Sequence, residues 1–164
     1  VLQRTSRMIM QKGYTIIEFI VIIVIIGFFA AIMLPAFANS YDTLKIECAY
    51  RQMMQDIRYA QQLAIARQVM HGVSFDPASE AYFVYRQPAS NIVKDPATQK
   101  PLSVTYASGK FSGINLVSTT FIVPALNRLE FNSIGAPSEG GTTTLNYRGI
   151  TKTIQVEANT GRIQ

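Results

Sequence analysis

The sequence is poor in the side chains that most enzymes and metal sites use. It has one cysteine, Cys48, one histidine, His71, and no tryptophan. A single cysteine excludes an intrachain disulfide and a cysteine zinc cluster, and in an exported chain such a thiol is expected as a small buried hydrophobe. With one histidine and scattered acids there is no histidine metal cluster, no Cys–His pair at motif spacing and no glycine-rich phosphate loop opening a helix. No catalytic residue, metal or cofactor is therefore expected. His71 reads as a residue at a helix end, where a cation interacts favourably with the dipole.

Charge is also scarce, at 15% of residues against 48% apolar, and it is unevenly placed. Arg4, Arg7 and Lys12 precede Gly13 with no acid among them, and beyond Gly13 there are 12 basic and 10 acidic side chains. Much of the net charge of +5 thus belongs to a short basic flank of the kind that anchors a membrane segment on its positive-inside face. That makes whole-chain basicity a poor argument for nucleic-acid binding.

Between Ile16 and Phe37 the only charged residue is Glu18. At about 1.5 Å of rise per residue this stretch covers roughly 33 Å, enough to cross a bilayer core. Apolar side chains occupy every side of it, so lipid or other helices must surround it. Gly27, Ala30 and Ala31 either permit close helix approach or are merely the small residues common in membrane helices. Pro35 either kinks or ends the helix. In a secretory signal the small residues of the cleavage site follow the apolar region. Here Gly13 precedes it, and a cut there would retain the helix.

Past Pro35, residues Ile46, Ala49, Tyr50, Met53, Ile57, Ala60 and Ala64 recur at three- and four-residue spacing, which predicts an amphipathic continuation. The simplest expectation is one helix from about Tyr14 to Gln68, stopped by His71-Gly72 with Gly in the left-handed conformation. A hairpin should follow over Val73–Phe75 and Ala81–Gln87 around the turn Asp76–Glu80, then an exposed loop over Pro88–Lys100. Further strands are expected over Leu102–Tyr106, Ile114–Val117, Thr120–Val123, Arg128–Phe131, Thr142–Tyr147 and Thr151–Glu157.

Glu18 demands a physical reason, because a carboxylate at the centre of a membrane helix costs about 2.5 to 3.5 kcal/mol on insertion scales. Its place near the helix end reduces that cost, so an interfacial acid without function is one reading. In the other, cleavage after Gly13 frees an amine on Tyr14, one turn away, and creates the partner that the carboxylate lacks. That amine could belong to the same chain or to a neighbour. Between chains, the pairing favours one axial register, since any slip leaves Glu18 unpaired.

Lys12-Gly13-Tyr14-Thr15-Ile16-Ile17-Glu18 and the apolar run after it resemble the class III signal of type IV pilins and type II secretion pseudopilins. The resemblance implies cleavage after Gly13 by a prepilin peptidase, N-methylation of Tyr14, an assembly role for Glu18, and in Pro35 the family's helix-kinking proline. Arg58-Tyr59-Ala60, Ala64-Ile65-Ala66-Arg67, Leu129-Glu130-Phe131 with Gly135, and Thr160-Gly161-Arg162-Ile163 are similar to the GspH/FimT branch. The disulfide loop of many major pilins is absent, which favours a minor pilin or pseudopilin. Gln164 stands where DNA-uptake members carry a final arginine.

The expected protein is an α+β, pilin-like subunit, its long N-terminal helix packed on a small antiparallel β-sheet or β-sandwich domain. Residues 1–13 would be a cleaved leader, 14–37 the membrane-spanning and filament-core half of the helix, 38–70 its amphipathic half, and 71–164 a periplasmic β-domain. The resemblance implies a single-pass protein of the bacterial inner membrane, later extracted into a pilus or pseudopilus. Its implied partners are other major or minor pilins or pseudopilins, the prepilin peptidase and an assembly platform. Two alternatives remain: a pseudopilin of the type II secretion system exporting folded proteins, and a DNA-binding minor pilin of natural transformation. For the latter, Arg128, Arg148, Lys152 and Arg162 are the candidate phosphate contacts, although such residues are also ordinary solvated strand and turn positions.

Overall fold

The computed structural model describes residues 13–121 and 127–164, leaving aside the side chains of residues 35–39. The basic leader up to Lys12, and the end of the strand expected over Thr120–Val123, lie outside the described residues. One helix, α1, runs over Ile16–Arg67, through Pro35. The chain divides into two compact units, Val1–Ser40 and Tyr41–Gln164.

In the first unit, Ile16–Leu34 has a mean hydropathy of 3.0, is long enough to cross a membrane, and is not buried by the rest of the chain. Ile, Val and Phe side chains are exposed all round it, from Ile16 at 82% to Ile22 at 43%. A helix this apolar on every side has no stable place in water and needs lipid or other helices around it.

The second unit is built on the other half of α1. Ile46, Ala49, Met53, Ile57, Ala60 and Ala64 are fully buried in one stripe, the face that their three- and four-residue spacing creates. They share a core with two antiparallel sheets. The first sheet contains β1 (His71–Asp76), β2 (Ala81–Arg86), β3 (Asn91–Ile92), β4 (Ser103–Thr105) and β6 (Arg128–Phe131), in the order β3-β2-β1-β6 with β4 also paired to β2. The second contains β5 (Asn115–Thr119), β7 (Gly141–Tyr147) and β8 (Ile150–Val156), in the order β5-β7-β8. Alternation supplies the inner faces: Val73, Phe75, Tyr82, Val84, Leu129 and Phe131 from the first sheet, Leu116, Leu145, Ile154 and Val156 from the second. The C-terminal residues return along β8, where Gln155 and Gln164 exchange backbone hydrogen bonds at 2.9 Å.

Three expectations are corrected. The left-handed residue after α1 is Gln68, with φ of 53°, and its side chain donates to the Ile65 carbonyl at 2.8 Å. Gly72 instead lies within β1, where a Cβ would come within 2.7 Å of the Leu129 carbonyl oxygen and 2.9 Å of the Tyr85 ring. It is glycine because the Tyr85 ring crosses it. His71 is not a helix-end cation either: it opens β1, is wholly buried, and burial holds its pKa below the ordinary value of 6.5. Cys48 is exposed rather than buried, because it falls one position short of Ala49 and off the buried stripe.

Candidate functional site

Around the expected processing site, Gly13 and Tyr14 precede the helix, and Tyr14 is 84% exposed. A Cβ added at Gly13 would meet nothing within 4 Å among the described residues. Thr15 caps α1. The Glu18 amide donates to the Thr15 carbonyl at 3.1 Å and lies 3.4 Å from Thr15 Oγ1. Thr15-Ile16-Ile17-Glu18 is the spacing of a capping box, which satisfies amides that a helix start otherwise leaves bare. This signal was readable in the sequence and was missed there. It gives Glu18 a local task, since a carboxylate in the first turn complements the positive end of the helix dipole. Glu18 is exposed and in the chain's isolated state forms none of the ion pairs recorded among the described residues.

The four candidate DNA contacts lie on different elements. Arg148, in the turn between β7 and β8, pairs with Asp42 of α1 at 3.1 Å. Lys152 of β8 pairs with Glu47 of α1 at 2.9 Å, and Arg51 reaches the same carboxylate at 2.8 Å. The bonds from Lys152 and Arg51 hold the Glu47 pKa below the usual carboxylate range. Arg128 belongs to the outer face of the first sheet, its guanidinium 5.5 Å from the centre of the Tyr85 ring. Tyr85 in turn donates to Glu130 Oε1 at 2.5 Å. Only Arg162, exposed near the C-terminus, is outside such an arrangement. Solvent screens surface pairs of this sort, so those from Arg148 and Lys152 tie β7 and β8 to α1 only weakly.

Further polar contacts join α1 to the rest of its unit. Gln61 donates to the Gly135 carbonyl at 2.8 Å and to that of Gly161 at 3.4 Å, so one helical side chain holds both the turn after β6 and the C-terminal turn. Tyr82 donates to Asp56 Oδ2 at 2.7 Å. Burial raises the Asp56 pKa, and the phenol's hydrogen bond opposes that rise.

Cys48 and His71, the side chains most often used in nucleophilic catalysis, lie in different surroundings. Cys48 lines an open groove of about 550 Å³ with Asp56, Asp95 and Lys110 among its neighbours. The one imidazole that could act as its base is the wholly buried His71, whose Nδ1 is bonded to the Val69 carbonyl at 2.7 Å. Among the described residues no group of three or more His, Cys, Asp or Glu could hold a metal ion.

No protein-family model matches the chain. Among solved structures, the minor pseudopilin EpsH of the type 2 secretion system of Vibrio cholerae aligns over 72% of this chain and 93% of its own, with a TM-score of 0.56 at 15% identity. The type IV minor pilin FimU of Pseudomonas aeruginosa aligns over 72% of this chain and 85% of its own, with a TM-score of 0.50 at 12% identity. In sequence, the competence protein ComGD of Bacillus subtilis is 24% identical over 153 residues, spanning 93% of this chain and 92% of the relative. The fold is therefore the one shared by minor pilins and pseudopilins, a long N-terminal helix carrying antiparallel sheets.

Proposed function

We propose that this pilin-fold chain is a minor pilin or pseudopilin, a structural subunit that a membrane-embedded helix delivers into a filament. The observation that carries this reading is the pairing of a fully exposed apolar span, Ile16–Leu34, with a globular unit whose core is complete without it. Before assembly lipid covers the span; in the filament the same surface packs on the helices of other subunits. Adding a subunit exchanges one apolar environment for another, so side-chain packing and the Glu18 contact decide the outcome.

In this reading a prepilin peptidase cuts after Gly13 and methylates the new amine of Tyr14. Glu18 then pairs with such an amine and sets the register, and Pro35 adjusts the helix within the filament core. The other partners are pilin-like subunits and an assembly platform in the membrane. The β-bearing unit stands on the side of the membrane opposite the basic leader, which is the periplasm in a cell with two membranes. The test is recovery of the tagged full chain in sheared filament fractions. Its presence there with wild-type Glu18 supports the role; confinement to the membrane fraction under conditions of active filament assembly contradicts it.

The competence name of the ComGD relative, which aligns over almost the whole chain, favours one task over the others: a subunit of a DNA-uptake filament. Direct DNA contact by this subunit has weaker support, because Asp42 and Glu47 already engage two of the four candidate cations. Salt-dependent retention of DNA by the full chain, reduced in Arg162→Ala, would favour contact. Retention unchanged by salt or by that variant would remove it.

A further inference from the structure

The end of α1, the end of β2 and the segment after β3 meet in a pocket of about 450 Å³, within the size range of small-molecule sites. Arg67, the last residue of α1, Arg86, the last of β2, and Lys94 all line it. Tyr59, Asn91 and Gln99 supply its other polar side chains, and no acidic residue is in its wall. The strand register brings these residues together. Arg86 stands opposite Asn91 on one side and His71 on the other, and the Gln87 amide donates to the Met70 carbonyl at 3.1 Å, tying the exit of α1 to the end of β2.

The three cations are exposed, and none of their side chains forms an ion pair or hydrogen bond with a described residue. Asp95, next to Lys94 in sequence, and Asp56 line the neighbouring groove. The Asp95 carboxylate accepts from the Ala97 amide at 2.9 Å and the Thr98 hydroxyl at 2.8 Å, and that of Asp56 accepts from Tyr82. The negative end of the α1 dipole gives Arg67 a structural reason; Arg86 and Lys94 have none of that kind. The positive field also reaches inward. Burial lowers the His71 pKa, the Val69 bond opposes that, and the charges of Arg67 and Arg86 lower it further. The pocket is thus an electropositive concavity that the described residues leave uncompensated.

From this convergence of cations we infer a binding site for a phosphate monoester group. Such a group concentrates a charge of about −1.5 to −2 and three acceptor oxygens at one point, and arginine forks match its oxygens two at a time. A lone carboxylate supplies one charge and two oxygens. A nucleic-acid strand spreads single charges along a track of phosphates, whereas these three cations share one pocket. The Tyr59 hydroxyl and the Asn91 amide add neutral donors at the wall. A phosphorylated small molecule and the headgroup of a monoester lipid present the same chemistry. The inference does not depend on the filament reading.

The test uses the full chain in detergent, purified without a histidine tag so that His71 is its one imidazole. Titration calorimetry with glycerol 3-phosphate should show saturable binding that weakens as NaCl is raised. Dimethyl phosphate, a singly charged diester, should bind about tenfold more weakly. Arg67→Gln/Arg86→Gln, at two exposed positions, should weaken glycerol 3-phosphate binding by about tenfold or more while keeping wild-type circular dichroism and melting behaviour. Lys94→Gln alone should weaken it less, and Lys110→Gln, which removes an exposed cation outside the pocket, should leave it unchanged. Nuclear magnetic resonance of the His71 ring gives a second readout. Bound phosphate offsets the charges of the two arginines, so the imidazole pKa should rise on ligand addition in wild type and stay fixed in the double variant. Mixed micelles of phosphatidic acid identify the source: competition with glycerol 3-phosphate assigns the lipid headgroup, and no competition assigns the free compound. The inference is overturned if neither glycerol 3-phosphate nor phosphatidic acid binds saturably, if the folded double variant binds as well as wild type, or if binding leaves the His71 titration unmoved. Preference for a DNA oligonucleotide or for polyglutamate over the monoester also overturns it.

Discussion

Thr15 and Glu18 close the first turn of α1 on one another, with the Glu18 amide 3.1 Å from the Thr15 carbonyl oxygen and 3.4 Å from its Oγ1. Glu18 therefore has two separable properties, a capping position and a charge. Glutamine serves equally at that position of a capping box, so Glu18→Gln keeps the cap and removes the charge, whereas Glu18→Ala removes both. Both variants are expected to be cleaved after Gly13 and both to fail in filament incorporation. If Glu18→Gln assembles normally while Glu18→Ala does not, the cap matters and the proposed charge pairing is wrong.

The contact between Gly72 and Tyr85 predicts a cost for the smallest possible side chain. Gly72→Ala places a methyl group 2.7 Å from a backbone carbonyl oxygen and 2.9 Å from the Tyr85 ring. Overpacking of this kind destabilises by about 1 to 3 kcal/mol. Chemical denaturation of wild type and variant measures it, and truncating Tyr85 to Ala in the variant should give only partial relief, because the Leu129 carbonyl does not move with the ring.

Tyr82→Phe removes the phenol that donates to Asp56 and leaves a partly buried carboxylate of α1 with one donor fewer. The expected loss at pH 7 is about 1 to 3 kcal/mol. Burial already raises the Asp56 pKa, so the fold gains stability from this group as pH falls through its folded-state value and the charge is neutralised. The variant should therefore lose less stability near pH 4 than at pH 7. An equal loss at both values would show that the bond does not act on the ionised form.

His71 has the opposite dependence. Its folded-state pKa is depressed by burial, with the charges of Arg67 and Arg86 adding to the effect and the Val69 bond opposing it. The unfolded chain then takes up the proton first, so this residue lowers stability as pH falls below about 6.5 toward the folded value. Denaturation midpoints measured between pH 7.5 and pH 5 should fall less steeply for His71→Gln than for wild type. Parallel slopes would show that His71 titrates normally in the fold.

The sequence made some of these features plain and hid others for definite reasons. The buried stripe from Ile46 to Ala64 was legible because helical periodicity and burial have the same cause, and Arg128–Phe131 because it alternates cleanly between turns. Tyr50 was expected within the stripe and is only partly buried at its edge. Gly72 misled because a glycine after a helix usually stops it, whereas this one makes room for a ring that arrives from another strand. His71 misled because its surroundings are set by strands β2 and β6, which pair with it from far along the chain, and Cys48 because one position of helical phase decides its exposure. Gln61 gave no local signal, since its two carbonyl partners lie 74 and 100 residues away. The pairing of Asn115 with Asn146 and of Thr144 with Thr153 becomes visible only when the strand register is known.

The most direct test of the central claim is the intact mass of the protein recovered from membranes of a host with an active prepilin peptidase. The expected species begins at Tyr14 and carries one additional methyl group on its amino terminus. A chain that still holds Lys12 and Gly13, or one that begins at any other residue, would contradict it.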